Sequence, residues 1–358
     1  MNKPRIVIVI GARPQFIKHA AFELKAKDIF DLITIHTGQH YDSNMSDVFF
    51  TQMNIAKPNY MLEIGGGTHG NQTGRMMIAI EEIIQKEIPD FVLVYGDTNS
   101  TLAGALVAAK LNIPVIHVEA GLRSFNRTMP EEVNRIVTDH ISSMLFCSSD
   151  EGKYQLQLEG ITENVFVTGD IMLDAFDSYY IFAQNNINIQ SLLPEHIIGK
   201  YHLLTIHRPA NTDNKKALQN ILSALSIIDD PIVWPIHPRN RRILESLVIP
   251  NNVYLFPPFS YFEMLAVLNG CKKVITDSGG LQKEAYWAKR PCITIRPETE
   301  WIETLENKWN ILTDVSAVSI KAAIETTVQT NTWKPLYGDG NTTSYISEAI
   351  INEFKKMP

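Results

Sequence analysis

Cysteine is scarce: Cys147, Cys271 and Cys292 are the only three in 358 residues, odd in number, scattered, and in no metal-like spacing. A disulfide framework is excluded as the organising device, and a reduced cytoplasmic interior is the simple inference. Long hydrophobic runs are absent too. None approaches the length of a membrane span, and the N-terminus lacks the layout of a signal peptide. Positive charge is in deficit, with 32 Lys and Arg against 39 Asp and Glu and a formal net charge of −7. That balance argues against nucleic acid as the main partner, and a phosphate ligand would have to meet cations concentrated locally. No low-complexity tract or long tail occurs. What is present is a chain with 45% hydrophobic residues, long enough for two domains with full cores.

Short β-branched runs alternate with segments of helical periodicity. The first half offers strands at Ile6–Ile10, Leu32–His36, Phe91–Tyr95, Val115–Glu119, Met144–Cys147 and Val165–Val167. Helical patterns between them cover Pro14–Lys27, Thr73–Lys86, Thr98–Leu111 and Glu131–Ser142. The second half repeats the plan, with strands at His202–Ile206, Ile232–Ile236, Val253–Phe256, Val274–Thr276, Cys292–Ile295 and Ile311–Leu312. Continuous apolar strands are the mark of parallel sheets covered on both faces. Two successive blocks of this kind predict an α/β chain with two doubly wound domains. The polar stretch Asn185–Lys200 reads as the boundary region, and Thr343–Lys356 as a last helix.

Unusual polar residues cluster just after the strands. Gly11-Ala12-Arg13-Pro14 with Lys18 follows the first, Gly96-Asp97-Thr98 the third, and Glu119-Ala120-Gly121-Leu122-Arg123 the fourth. In the second half His207-Arg208 and His237-Pro238-Arg239 occupy the same kind of place. Open α/β sheets bind ligands outside the carboxyl ends of their strands, so these clusters are expected to converge on a crevice. Asp277-Ser278-Gly279-Gly280, followed by Glu284, opens a helix after Val274–Thr276. Two glycines and a helix N-terminus suit a phosphate, and Glu284 a ribose diol. The same residues read equally well as an ordinary helix cap.

The other clusters have plain alternatives as well. Arg13 and Lys18 suit the surface of an amphipathic helix, although the Gly and Pro around Arg13 favour a ligand-facing turn. Asp97 is a candidate both for capping and for chemistry. Glu119 continues an apolar strand, where an unpaired carboxylate is costly; a structural ion pair with Arg123 or Arg135 accounts for it equally. Glu131, in the first turn of a helix opened by Pro130, suits either the helix dipole or a site. His36 and His40 have an H-x-x-x-H spacing that straddles a strand end and a loop, so no metal site is expected. Gly65-Gly66-Gly67-Thr68-His69-Gly70 formally matches G-x-G-x-x-G, but it follows no first strand, and Asp90 precedes a strand where the fingerprint needs an acid at a strand end. It reads as a flexible loop, and no dinucleotide cofactor is expected.

In this order, these residues resemble the non-hydrolysing UDP-N-acetylglucosamine 2-epimerase family. The likeness runs through Gly11-Ala12-Arg13-Pro14, Gly96-Asp97-Thr98, Val118-Glu119-Ala120-Gly121-Leu122-Arg123, Pro130-Glu131-Glu132 with Asn134-Arg135, His207-Arg208, Asp277 to Glu284, and Tyr337-Gly338-Asp339-Gly340. Within the family, Arg13-Pro14-Gln15-Phe16-Ile17-Lys18, His36-Thr37-Gly38-Gln39-His40 and Ser124-Phe125-Asn126 resemble the branch acting on UDP-2,3-diacetamido-2,3-dideoxyglucuronate. His207-Arg208-Pro209-Ala210-Asn211 departs from it, since that branch tends to carry Ala-Glu at positions 209 and 210.

The resemblance implies the GT-B fold: residues 1–170 with the helix 343–358 as one Rossmann-like domain carrying the catalytic carboxylates, residues 171–342 as a UDP-binding second, and the site in the cleft between. It implies inversion at C2 of a UDP-2-acetamido sugar by elimination of UDP to a glycal and re-addition, in supply of a bacterial surface polysaccharide. Asp97, Glu119, Glu131, His207 and Lys18 become the catalytic set. Arg13, Arg135, Ser278, Gly279, Gly280 and Glu284 become the UDP-binding set. No cofactor or metal is implied, and a cytoplasmic homodimer is. Gln39, Arg75 and His237 match positions where some relatives bind a second UDP-sugar, although Asp42 stands where a glutamine is usual. A GT-B glycosyltransferase and a non-catalytic UDP-sugar sensor are the alternatives, separated by whether an acceptor is needed and whether turnover occurs.

Overall fold

Continuous apolar runs become strands flanked by helices on both faces, and the order of those strands decides where loops can gather. The computed structural model describes residues 3–39, 56–236 and 241–357, with the backbone alone described at residues 13, 241 and 242. The chain divides into two compact units, Met1–Ala175 with Tyr337–Pro358, and Phe176–Leu336.

The first unit holds a parallel sheet of β1 (Arg5–Ile10), β2 (Asp31–His36), β3 (Tyr60–Met61), β4 (Phe91–Tyr95), β5 (Val115–Ala120), β6 (Met144–Cys147) and β7 (Val165–Val167), in the order 3-2-1-4-5-6-7. Helices α1 (Arg13–Ala26), α2 (His69–Glu87), α3 (Asn99–Lys110), α4 (Pro130–Ile141) and α5 (Asp150–Leu158) connect them. Ile6 to Ile10 are fully buried, as a strand covered on both faces requires. Val7, Val9, Ile35, Met76, Ile80, Val92 and Val94 share one core. Helix α3 lies close on this sheet: a Cβ built on Gly104 would stand 2.9 Å from Val9 Cγ2 and 3.2 Å from Val94 Cγ1.

Helix α6 (Ile171–Asn186) carries the chain across the division. The second unit has six parallel strands, β8 (His202–Thr205), β9 (Ile232–Pro235), β10 (Val253–Phe256), β11 (Val274–Thr276), β12 (Cys292–Ile295) and β13 (Asn310–Thr313), ordered 10-9-8-11-12-13. Its helices include α7 (Lys215–Leu225), α8 (Tyr261–Gly270), α9 (Gly279–Trp287) and α10 (Ala317–Glu325). The final helix α11 (Thr342–Phe354) belongs to the first unit. Its N-terminal amides at Thr342 and Thr343 donate to the buried Asp174 carboxylate at 3.0 and 2.9 Å. A negative charge there satisfies amides that have no partner within the helix and favours the positive end of the helix dipole. Lys25 Nζ completes the joint, reaching Asp174 at 3.2 Å and the Gly340 carbonyl at 2.9 Å.

Both sheets reverse direction of growth beside their first strand, between β1 and β4 and between β8 and β11. At such a point successive crossovers leave on opposite faces and open a crevice at the carboxyl ends. Three local expectations change. The strand β3, only two residues long, carries too little pattern to be recognised. The glycine string leads into α2, which starts at His69, so Gly70 is helical, while Gly66 and Gly67 precede it with φ of +68° and +92°. The polar stretch Asn185–Lys200 lies inside the second unit, because the aromatic face of α6 is buried there: Phe176 packs 5.6 Å from the Trp287 ring, and Tyr179 packs edge-on to Phe262.

Two glycine substitutions should therefore move stability in opposite directions. Gly104→Ala forces a methyl into Val9 and should cost about 1–3 kcal/mol. On Gly74, in the middle of α2, a Cβ meets no described atom within 4 Å, and Gly74→Ala should add roughly 0.5–1 kcal/mol through helix propensity. Chemical denaturation of the two variants against the parent reads both signs.

Candidate active site

In the first unit the site is assembled by loops that a single buried side chain ties together. Gln15, on α1, accepts from the amides of Gly11 and Ala12 at 2.8 and 3.0 Å and donates to the Tyr95 carbonyl at 2.9 Å. It thereby locks the turn after β1 to the turn after β4. Gly96 follows with φ +61° and donates to the Val118 carbonyl at 2.9 Å. Asp97 comes next, and Thr98 caps α3 by accepting from Thr101 N at 3.2 Å.

Glu119 is placed by an irregularity in β5. Val118 pairs with Phe146 and Ala120 with Cys147, so Glu119 is the extra residue of a bulge, held at φ +72°. A bulge turns a side chain away from the regular alternation of the strand. The carboxylate meets Lys18, buried on α1, as its ion-pair partner. The partner expected from sequence, Arg123 or Arg135, is engaged elsewhere: Arg123 with Asp139 and Glu159, Arg135 with Asp97 and Glu132. A Cβ on Gly96 would lie 3.5 Å from Lys18 Nζ and 3.8 Å from Glu119 Oε1, which puts this pair beside the Gly96-Asp97 turn. Burial alone would lower the Lys18 ammonium, but Glu119, Asp170 and Asp97 together hold it above its ordinary value.

Asp97 pairs with Arg135 Nη2 at 2.5 Å. Burial pushes its carboxyl up, Arg135 pulls it down, and Glu119 pushes it up again; the net result is a carboxyl above the usual range. Arg135 Nη1 also reaches Glu132 at 3.1 Å, and Asn134 Nδ2 donates to the Asp97 carbonyl at 2.9 Å. Glu132 accepts from the amides of Ser124 and Phe125, both at 2.9 Å. Although burial opposes ionisation, those bonds and Arg135 hold its carboxyl low.

Four of the residues expected from sequence, Lys18, Asp97, Glu119 and Arg135, thus come together. Glu131 does not join them: it is exposed in the first turn of α4, while its neighbour Glu132 faces inward. The i, i+3 spacing of Glu132 and Arg135 was the sequence signal for that pairing. Of Arg13 only the backbone is described, and His40, Asp42 and His237 lie outside the described residues. The Gln39 carboxamide accepts from Ser100 N at 3.0 Å and Ser100 Oγ at 2.7 Å, which ties it to the start of α3, and Arg75 is exposed on α2. His36 Nδ1 accepts from Gly38 N at 3.0 Å, and burial holds that imidazole below its ordinary value.

In the second unit Asp277, fully buried, binds the turn after β8 to the turn after β11. Its carboxylate accepts from the amides of His207 and Arg208, both at 3.0 Å, from Asn211 Nδ2 at 3.0 Å, and faces His207 Nδ1 at 3.0 Å. Burial opposes ionisation, yet these bonds leave the carboxyl below its usual range. His207, half exposed, is fixed by a residue read from sequence only as a cap. Ser278 takes the capping role, accepting from Leu281 N at 3.4 Å. Beyond it Gly279 and Gly280 open α9, and Glu284 is buried one turn on. A Cβ on Gly280 meets no described atom within 4 Å, so packing in the described chain does not demand a glycine there. Bidentate pairing of Arg296 with Glu300, at 3.0 and 2.8 Å, lies beside the same helix start. Among the described residues no group of three or more His, Cys, Asp or Glu is arranged to hold a metal ion.

Two doubly wound parallel sheets, each with its polar residues at the switch point, define a GT-B α/β protein. A calicheamicin glycosyltransferase shares that fold alone, at 12% identity and a TM-score of 0.54 over 98% of this chain and 95% of its own. The sequence profile of the UDP-N-acetylglucosamine 2-epimerase family matches residues 22–351, and the chain belongs to that family. The UDP-2,3-diacetamido-2,3-dideoxy-D-glucuronate 2-epimerase of Pseudomonas aeruginosa is 44% identical, over 97% of this chain and 99% of its own. The structure of Methanocaldococcus jannaschii UDP-GlcNAc 2-epimerase in complex with UDP-GlcNAc and UDP is 41% identical, with a TM-score of 0.88, over 98% of this chain and 99% of that one.

The charges around Asp97 predict how it titrates. Removing a cation that stabilises the carboxylate raises the carboxyl further, so Asp97 in Arg135→Gln should titrate at a higher pH than in the parent. Removing the neighbouring negative charge in Glu119→Gln should lower it. Carbon-13 NMR of the aspartate carboxyls across a pH series measures both shifts.

Proposed function

We propose that this protein inverts C2 of a UDP-2-acetamido sugar by eliminating and re-adding UDP. The reading is carried by the pair Asp97 and Glu119, two carboxylates at adjacent strand ends, each set against its own cation. A proton on C2 of such a sugar is not acidic enough to be removed and returned directly. Breaking the C2–H bond while the C1–O bond releases its electron pair to UDP forms a C1=C2 glycal instead. Return of the UDP oxygen to C1, with a proton delivered to the other face of C2, completes the inversion. No net oxidation occurs, so no redox cofactor is required.

Asp97 and Glu119 are assigned the proton transfers, an assignment that suits a carboxyl held above its usual range at Asp97. Lys18 and Arg135 set their charge. Glu131, outside that cluster, keeps a supporting role by family resemblance only. Ser278, Gly279 and Gly280 hold phosphate at the α9 N-terminus, where free amides and the helix dipole favour an anion. His207, fixed by Asp277, with Arg13, stabilises charge on the departing diphosphate. Glu284 takes the ribose. A cytoplasmic homodimer supplying a surface polysaccharide accompanies this reading. The sugar is either UDP-N-acetylglucosamine or its 2,3-diacetamido-uronate analogue, and relatives named for each stand at nearly equal identity, 44% and 41%.

Turnover in heavy water should place deuterium at C2 of the inverted sugar with no acceptor present, read by proton NMR; inverted product without label would sink the elimination route. A panel of UDP-sugars with and without the C3 acetamido and C6 carboxylate groups identifies the substrate. Gly280→Ala should not lower the melting temperature and should raise KM for the UDP-sugar about tenfold or more, because the methyl meets only the phosphate, an effect of about 1.4 kcal/mol. Unchanged KM in that variant would remove the phosphate from this helix.

A further inference from the structure

One buried titratable group has no part in the chemistry above. His117, on β5, is fully buried, and both ring nitrogens have close partners: Nδ1 stands 2.7 Å from Asp139 Oδ1, and Nε2 stands 2.8 Å from the Gly96 carbonyl oxygen. A carbonyl oxygen only accepts. Asp139 is likewise an acceptor: its second oxygen takes Arg123 Nη1 at 2.7 Å and Gly121 N at 3.2 Å, and although burial opposes ionisation, His117 and Arg123 hold its carboxyl below the usual range. A neutral imidazole supplies one N–H, which would leave the other nitrogen lone pair against an oxygen lone pair at hydrogen-bond distance. We infer that His117 carries protons on both ring nitrogens and positions the Gly96-Asp97 turn through the Gly96 carbonyl.

The charges around the ring balance. Asp139, on α4, faces His117 and Arg123; Arg123 also makes a bidentate pair with Glu159 at 2.6 and 2.7 Å, at the end of α5. Two cations and two anions form one chain, so the imidazolium is not an isolated buried charge. The ring is also placed where its proton matters. Gly96, at φ +61°, is clamped from both sides, its amide to Val118 O and its carbonyl to His117 Nε2. The peptide that follows carries Asp97, so a lost Nε2–H bond removes the bond held by the Gly96 carbonyl and loosens the turn that aims the carboxylate. His117 is a positioning residue, and this role rests on the reading that Asp97 moves the proton.

The test uses the intact chain labelled with nitrogen-15 histidine. At neutral pH both ring nitrogens of His117, assigned through contacts to Gly96 and Asp139, should show directly bonded protons. One bare nitrogen would overturn the inference, whatever the enzyme's activity. Two substitutions then separate position from scaffold. His117→Gln keeps a donor near Nε2 and should retain most of kcat. His117→Asn keeps the donor to Asp139 but loses Gly96, and should lower kcat about 100-fold with KM nearly unchanged, as a displaced catalytic group does. Equal losses in both that follow a falling melting temperature, or failure of both to fold, would overturn the positioning role in favour of a scaffold role. Absence of epimerase activity in the parent itself would instead count against the proposed function and leave the ring-proton result standing.

Discussion

A carboxylate at the end of a parallel strand is held in place only if other elements bring it charge or N–H groups, and Asp97, Glu119 and Asp277 all depend on that constraint. Asp97 needs Arg135 from α4, Glu119 needs Lys18 from α1, and Asp277 needs the amides after β8. Each pairing joins segments far apart in the chain. The ions therefore fix loop positions as well as each other, at the sheet ends where helices leave on opposite faces. Removing one partner would leave a buried charge, which is costlier than losing a contact between neutral groups.

Backbone strain works alongside charge. Glu119 sits at φ +72° in a bulge and Gly96 at φ +61°, the two residues that flank the Lys18 ammonium. A left-handed conformation at a non-glycine residue costs on the order of 1 kcal/mol and persists only where surroundings enforce it. Here Lys18 enforces it from one side, and the β5–β6 register on either side of the bulge enforces it from the other. The result turns a carboxylate out of an apolar strand without exposing it fully to water.

Most of the fold was legible because parallel strands buried on both faces read as plain apolar runs. Phe91–Tyr95, Met144–Cys147, Val165–Val167, Val253–Phe256, Val274–Thr276 and Cys292–Ile295 match their observed limits, and the other six expected strands differ by a residue or two. Two-residue β3 was not legible, since so short a strand has no pattern. The polar stretch Asn185–Lys200 did not mark the division of the chain, because only the aromatic packing of α6 assigns that stretch to the second unit. At the site, residue types at strand ends were readable, while partners were not. Glu119 was expected against an arginine and is held by Lys18. Gln15, Glu132 and Asp277 hold loops together, and nothing local in the chain distinguishes a glutamine that bridges two turns from one at the surface.

By itself the sequence determined the two α/β blocks, the placement of polar clusters after strands, and the ordered motifs that mark the family. Hydrophobic periodicity and turn residues are local properties, so one dimension suffices for them. Tertiary structure decided which charge meets which, that Glu119 leaves its strand by a bulge while Glu131 stays exposed, and that His117 lies between two acceptors. Those outcomes depend on distances between residues far apart in the chain, from 21 positions for Gly96 and His117 to 101 for Lys18 and Glu119, and only the packed sheets set them.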